Sequence, residues 1–239
     1  MLAALDSGTT AELLAAHVTT FPSLFAAASW RRRARRTTVP GLVFAKAMPF
    51  IGSRASAGFA AGLPALQCQV LLTAWRGGED FDAFCRAESS LAASWWALFE
   101  VVSARGSYRG ALPLRGTGSS EGPFAALTLG RTSPRRLVTF LSEGARLAPY
   151  LRSAPGLLGA VSAGVPLTGN CTLSLWDSED HMHGFAYAGV RGHVATARRR
   201  PPILIEQLNA RMRVRKLGGR LDLAAPYTER LQSLATVLA

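Results

Sequence analysis

Leu71-Leu72-Thr73-Ala74-Trp75, followed by Glu79-Asp80 and then Phe84, returns in the second half of the chain as Leu173-Ser174-Leu175-Trp176, Glu179-Asp180 and Phe185. Each copy is an apolar run ending at tryptophan, an acidic pair, and a phenylalanine nine positions after the tryptophan, and the copies stand 101 positions apart. The run reads as a strand, the acidic pair suits the positive end of a helix dipole, and the phenylalanine begins the apolar face of that helix. A weaker match lies upstream, where Pro22 and Pro134 each open a helix-like segment after a strand-like one, 112 positions apart. The extra 11 positions are about the length of the glycine-rich stretch Gly52 to Gly62, which only the first half carries. The chain reads as a tandem duplication with one insertion.

A βαββαβ half of roughly a hundred residues leaves one apolar sheet face that must be covered. Two such halves can cover each other. The reading is therefore α+β: tandem ferredoxin-like repeats whose four-stranded antiparallel sheets face one another with helices outside. This is a dimeric α+β barrel made within one polypeptide, with an apolar pocket between the sheets. Residues 1–114 form the first repeat, Arg115 to Gly122 a linker, 123–220 the second repeat and 221–239 a C-terminal tail.

In the first half the pattern predicts strands at 16–21, 41–48 and 66–75 and a helix at 22–35. A long helix from Phe81 to about Val102 and an edge strand from Ser107 to Leu114 follow. The second half predicts strands at 124–131, 158–165 and 170–176, helices from Pro134 to about Tyr150 and from Asp180 to about Arg200, and a last segment from Ile203 to Val214.

With 239 residues, 49% hydrophobic and 18% charged, the chain can bury a sizeable core as one compact unit. Cys68, Cys85 and Cys171 form no CxxC and no even-numbered framework, which points to a reduced cytoplasmic setting without a structural disulfide. No stretch reaches the roughly 18 apolar residues of a membrane span. Asp6 and Glu12 stand where an export signal would be basic, so no export is expected. The net charge of +12 comes mostly from arginine, clustered at Arg31-Arg32-Arg33 with Arg35-Arg36, at Arg135-Arg136 and at Arg198-Arg199-Arg200. Solvated faces complementing helix ends are the plain reading, and peripheral contact with an anionic membrane is the functional one. Nucleic acid is disfavoured, because only Trp30 interleaves with a basic cluster.

There are four histidines, and no HExxH, CxxC, GxSxG, Walker loop or strand-to-helix GxGxxG. Gly52-Ser53-Arg54 with Gly58 lacks the Lys-Ser/Thr of a phosphate loop and joins two strands. His181 and His183 project about 200° apart on a helix and read as surface residues. Met182, Phe185, Gly189 and His193 fall on one helical stripe. On spacing alone, His193 reads as a satisfied core or surface histidine, with iron ligation the open alternative.

Leu42-Val43-Phe44-Ala45-Lys46 with Gly52-Ser53 and Gly58-Phe59, then Ser103-Ala104-Arg105-Gly106-Ser107-Tyr108-Arg109-Gly110, then Pro123-Phe124-Ala125-Ala126-Leu127-Thr128 carry a resemblance. So do Pro134-Arg135-Arg136, Ala154-Pro155-Gly156-Leu157, Thr172-Leu173-Ser174-Leu175-Trp176, Phe185-Ala186-Tyr187, His193, and Glu206 with Ala210-Arg211. In order and spacing, over about residues 15 to 220, they resemble the spheroidene monooxygenase family. The resemblance implies a haem-containing oxygenase of carotenoid biosynthesis that inserts oxygen into an acyclic polyene, on the dimeric α+β barrel fold.

His193 then becomes the candidate proximal ligand to the haem iron. Arg105 would serve a haem propionate or the pocket wall, or else a structural ion pair; Trp176 and Phe185 would line the pocket or be plain core. Electrons would come from a ferredoxin-like or flavoprotein donor. Ile203-Leu204-Ile205-Glu206, after Pro201-Pro202, stands where the family tends to carry aromatics, and this departure allows a different apolar substrate. A haem enzyme of the same barrel that dehydrates an aldoxime and a non-catalytic apolar-ligand-binding protein complete the readings.

Overall fold

The computed structural model describes residues 10–34, 39–51, 64–88, 91, 94–109, 114–118, 121–165, 167–187 and 202–219. Along β1 (Leu13–Thr20), Leu14, Ala16 and Val18 belong to one buried cluster while Ala15 belongs to another. That alternation is the strand period of two with both faces covered. The same division runs through β2 (Leu42–Ile51), β3 (Pro64–Trp75) and β4 (Trp95–Gly106), while α1 (Leu24–Ala34) and α2 (Gly78–Ala87) contribute to the second cluster alone. The second half repeats the order of elements with β5 (Phe124–Thr132), α3 (Leu137–Arg152), β6 (Leu157–Val165), β7 (Gly169–Trp176), α4 (Glu179–Tyr187) and β8 (Leu204–Gly218), and there Trp176 and Met182 join the same cluster as the barrel residues.

All eight strands join one closed antiparallel barrel in the order β1-β3-β2-β6-β7-β5-β8-β4. Each half contributes the ferredoxin-like run β4-β1-β3-β2 or β8-β5-β7-β6, and the halves meet edge to edge at β2 with β6 and at β4 with β8. Eight strands enclose a space that side chains just fill. Here Leu72, Phe99 and Met212 are 0% exposed and Leu14, Leu127, Leu173 and Leu175 at most 2%. A void large enough for water would leave accessible area on its lining, so the middle of the barrel is packed core. The space predicted as a pocket is occupied by the side chains that close the fold. A second core, of Trp30, Phe81, Phe84 and Leu91 on Ala15, Leu71, Trp75 and Leu98, lies under α1 and α2.

The duplicated phrase is also duplicated in space. The Trp75 indole N–H donates to the Thr73 hydroxyl at 2.8 Å, and the Trp176 indole N–H donates to the Ser174 hydroxyl at 2.9 Å. Phe84 lies 5.1 Å from Trp75 and Phe185 lies 5.4 Å from Trp176, ring centre to ring centre. Strand register also locates the insertion. Leu42 and its partner Trp75 are 33 positions apart, against 19 for Leu157 and Trp176. The extra length thus falls in the β2–β3 connection, whose Gly52 to Gly62 lies outside the described residues.

Three sequence expectations are corrected. The long helix predicted from Phe81 to Val102 ends at Ala87, with Glu88 as its C-cap, and 95–106 is strand β4. Alanine and leucine favour helix locally, but Trp95, Ala97, Phe99 and Val101 face the barrel while Leu98 faces the helices, a pattern that suits only a strand. The edge strand predicted for Ser107–Leu114 is therefore not the fourth strand; Tyr108 and Leu114 instead enter the barrel core, Leu114 by a single parallel bridge to Ala11. Arg115 to Gly118 lie along the barrel as a strap: Arg115 N–H donates to Ala11 C=O, and Thr117 and Gly118 N–H both donate to Val101 C=O. A Cβ on Gly116 would strike the Val102 carbonyl, which is why glycine stands there. The last strand, β8, runs beyond the predicted Val214 to Gly218.

Cys68, Cys85 and Cys171 are not joined in disulfides among the described residues. Among the described residues no helix is long and apolar enough to cross a membrane.

Candidate functional site

The two halves cover their sheets unequally. By strand register, Ala126 and Thr128 occupy the positions of Ala15 and His17, and Thr172 that of Leu71. Ala15, His17 and Leu71 are at most 2% exposed, whereas Ala126, Thr128 and Thr172 are only half-buried. α3 contributes to the gap, leaving Val138 79% and Leu141 43% exposed. At the end of the same layer, Arg152, Ser153, Pro155, Leu158 and Asp177 line a groove of about 410 Å³. Among the described residues the outer face of the second sheet is thus the less sealed side, floored by small residues.

α4 is fixed on that face by charge. Arg211 of β8 donates to Glu179 at 2.6 Å and to the Ser103 hydroxyl of β4 at 2.9 Å, and lies 3.2 Å from the His183 ring nitrogen. His181 instead pairs with Asp177 at 2.6 Å. The two histidines engage different partners at the surface, as their spacing predicts. Among the described residues no three metal-ligating side chains cluster.

Of the residues singled out in the sequence, Trp176 is 1% exposed with its N–H satisfied, and half-buried Phe185 covers it. They form the floor of the helix layer, in the manner of Trp75 and Phe84. Arg105 is exposed near the end of β4, opposite Asn209 of β8. Ser103, two residues before it on the same face, is the one Arg211 ties to α4. His193, Gly189 and Arg198 to Arg200 lie outside the described residues.

Three polar features went unread in the sequence. His17 is 0% exposed, 5.9 Å from the Phe81 ring and 6.2 Å from Phe84, and neither ring nitrogen has a partner. Burial lowers its pKa to about 4, so the imidazole is neutral. Gln69 and Asn170, again 101 positions apart, occupy equivalent buried sites on β3 and β7, and each leaves its side-chain carbonyl unpaired. Lys46 lies between Phe44 and Met48 of the barrel core, half-buried, and its ammonium nitrogen donates to the Tyr108 hydroxyl. The signal for Lys46 was present: the chain has two lysines, Lys46 and Lys216, among 27 Lys and Arg.

No family profile matches the chain, and no curated protein matches it in sequence. Among solved structures, an aldoxime dehydratase in complex with butyraldoxime superposes with a TM-score of 0.51 at 10% identity, covering 84% of this chain and 79% of that one. This chain shares its fold. A candidate monooxygenase from Fusobacterium nucleatum (TM-score 0.39, 10% identity, 88% of this chain and 95% of that one) is also similar. So is a heme-degrading enzyme from Listeria monocytogenes (0.31, 13%, 82% and 98%). The fold is the ferredoxin-like duplication closed into one barrel.

Proposed function

We propose that the protein is a haem-dependent monooxygenase of an apolar substrate, with haem held on the outer face of the second sheet. The unequal covering of the two halves carries this reading. A duplicated fold that seals one helix layer and leaves its counterpart half-open has room for a ligand in the second. The residues there suit a flat macrocycle: Ala126, Thr128 and Thr172 keep the sheet surface low, Trp176 and Phe185 give a rigid aromatic floor, and Asn170 offers a buried, unpaired acceptor. His193, in the chain that follows α4, would be the iron ligand, and Arg105 would pair with a propionate.

Bound haem would supply oxygen activation, with electrons from a ferredoxin-like or flavoprotein donor. The protein's own part is positional. Arg211 holds α4 to β4 and β8 through Glu179, His183 and Ser103, which sets where the chain leaves Tyr187. The apolar floor would exclude water from an apolar substrate, and an acyclic polyene is the leading class. The net charge of +12 suits an acidic donor or the anionic membrane from which such a substrate is drawn.

Dehydration of an aldoxime is the second reading, favoured by the fold shared with the aldoxime dehydratase. Expression with haem precursor, followed by absorption spectra of the wild type and His193→Ala, tests both. A Soret band lost in the variant supports a His193-bound haem; no band in the wild type overturns the haem readings together. Product formation that requires reductant separates oxygenation from dehydration.

A further inference from the structure

Lys46 stands at an unusual place for an amine. Strand register puts it on the inner face of the sheet between two core residues of β2, but half-buried and toward the end of the barrel where Tyr108 follows β4 and Thr168 precedes β7; the neighbours that act on its charge are Tyr108, Arg109 and Cys171. None of the three is a carboxylate. The ammonium nitrogen lies 4.3 Å from the centre of the Tyr108 ring and donates to its hydroxyl, which in turn donates to Thr168 C=O at 3.2 Å. Gly169, at φ 135°, is what lets the two side chains meet there: a Cβ on it would collide with both the Tyr108 oxygen and the Lys46 nitrogen. Among the described residues β2 and β6 pair only at Phe50 and Ala163, and Lys46 lies beyond that pair, past the end of β6.

From this arrangement we infer that Lys46 and Tyr108 form a second reactive centre, which binds a small aliphatic aldehyde as an imine on Lys46. The neutral amine attacks the carbonyl carbon, a C–N bond forms, and the carbonyl oxygen leaves as water after taking both protons of the amine, one directly and one relayed through the Tyr108 hydroxyl. No electrons are exchanged. Burial lowers the pKa of Lys46, which favours the neutral nucleophile. Cys171, the nearby thiol, does not compete, because burial pushes its pKa up to about 12 and keeps it protonated. Phe44 and Met48 flank the amine with apolar surface, which selects an uncharged aliphatic chain. The inference is independent of haem binding.

Two lysines make the test clean. The purified full-length protein is treated with propanal and sodium cyanoborohydride at neutral pH, which reduces any imine to a stable secondary amine, and is then digested for mass spectrometry. Lys46 is expected to be alkylated several-fold faster than Lys216, whose side chain is 55% exposed and serves as the reference. Lys46→Ala is expected to lose that fast phase, and Tyr108→Phe, which keeps the amine, to slow it. Lys46 alkylated no faster than Lys216 in the native protein, yet readily in urea, would overturn the inference and leave Lys46 a structural partner of Tyr108.

Discussion

A histidine with both ring nitrogens buried and unpaired is held neutral, and its folding energetics follow with a definite sign. His17 has a folded pKa of about 4 against 6.5 when exposed, so the unfolded chain binds the proton first as pH falls. Its contribution is complete above about pH 6.5 and is lost progressively toward pH 4, on the scale of roughly 3 kcal/mol. His17→Leu, facing Leu71 across the ladder, is expected to flatten that slope. Urea midpoints for both proteins at pH 7 and pH 5 measure it, and parallel slopes would exclude His17 as the cause. The hydroxyls under the two tryptophans give a second expectation. Thr73→Val and Ser174→Ala each leave a buried indole N–H unpaired, and each should cost about 1–3 kcal/mol in chemical denaturation. The tryptophans and phenylalanines were legible in the sequence because they recur in order. The roles of His17 and Tyr108 were not, since what each faces is decided by strand register across the barrel rather than by neighbours in sequence.

The repeat predicts the helices that follow Trp75 and Trp176, and α2 and α4 stand there, but their packing differs. Phe84 is 7% exposed and touches both Trp75 and His17, while Phe185 is half-buried over Trp176. Phe84→Ala is therefore expected to cost about 3–5 kcal/mol, and Phe185→Ala distinctly less. Equal losses would show that the second helix layer is as tightly sealed as the first. The failure at 88–106 is equally instructive. Ala92, Ala93 and Ala97 with Leu91 and Leu98 read as helix to any local rule, yet a βαββαβ half needs a fourth strand to complete its sheet. Applying that global requirement first would have turned the Trp95 to Val101 alternation into the strand it is.

At the scale of the whole molecule, each half alone would expose one complete apolar sheet face. A chain divided between Gly118 and Glu121 is expected to aggregate when either piece is made singly. Co-expressed pieces should elute from size exclusion as one complex with the parent's circular dichroism. Soluble, folded single halves would contradict the mutual burial seen here. The two seams that join the halves are themselves unlike among the described residues: β4 and β8 form ten residue pairs, while β2 and β6 share one. Amide protons along β4 and β8 should accordingly exchange with deuterium only through global unfolding, whereas the Phe50–Ala163 pair exchanges through a cheaper local opening. The barrel is thus a cylinder with one riveted side and one latched side, and any solute reaching its interior would enter through the latch.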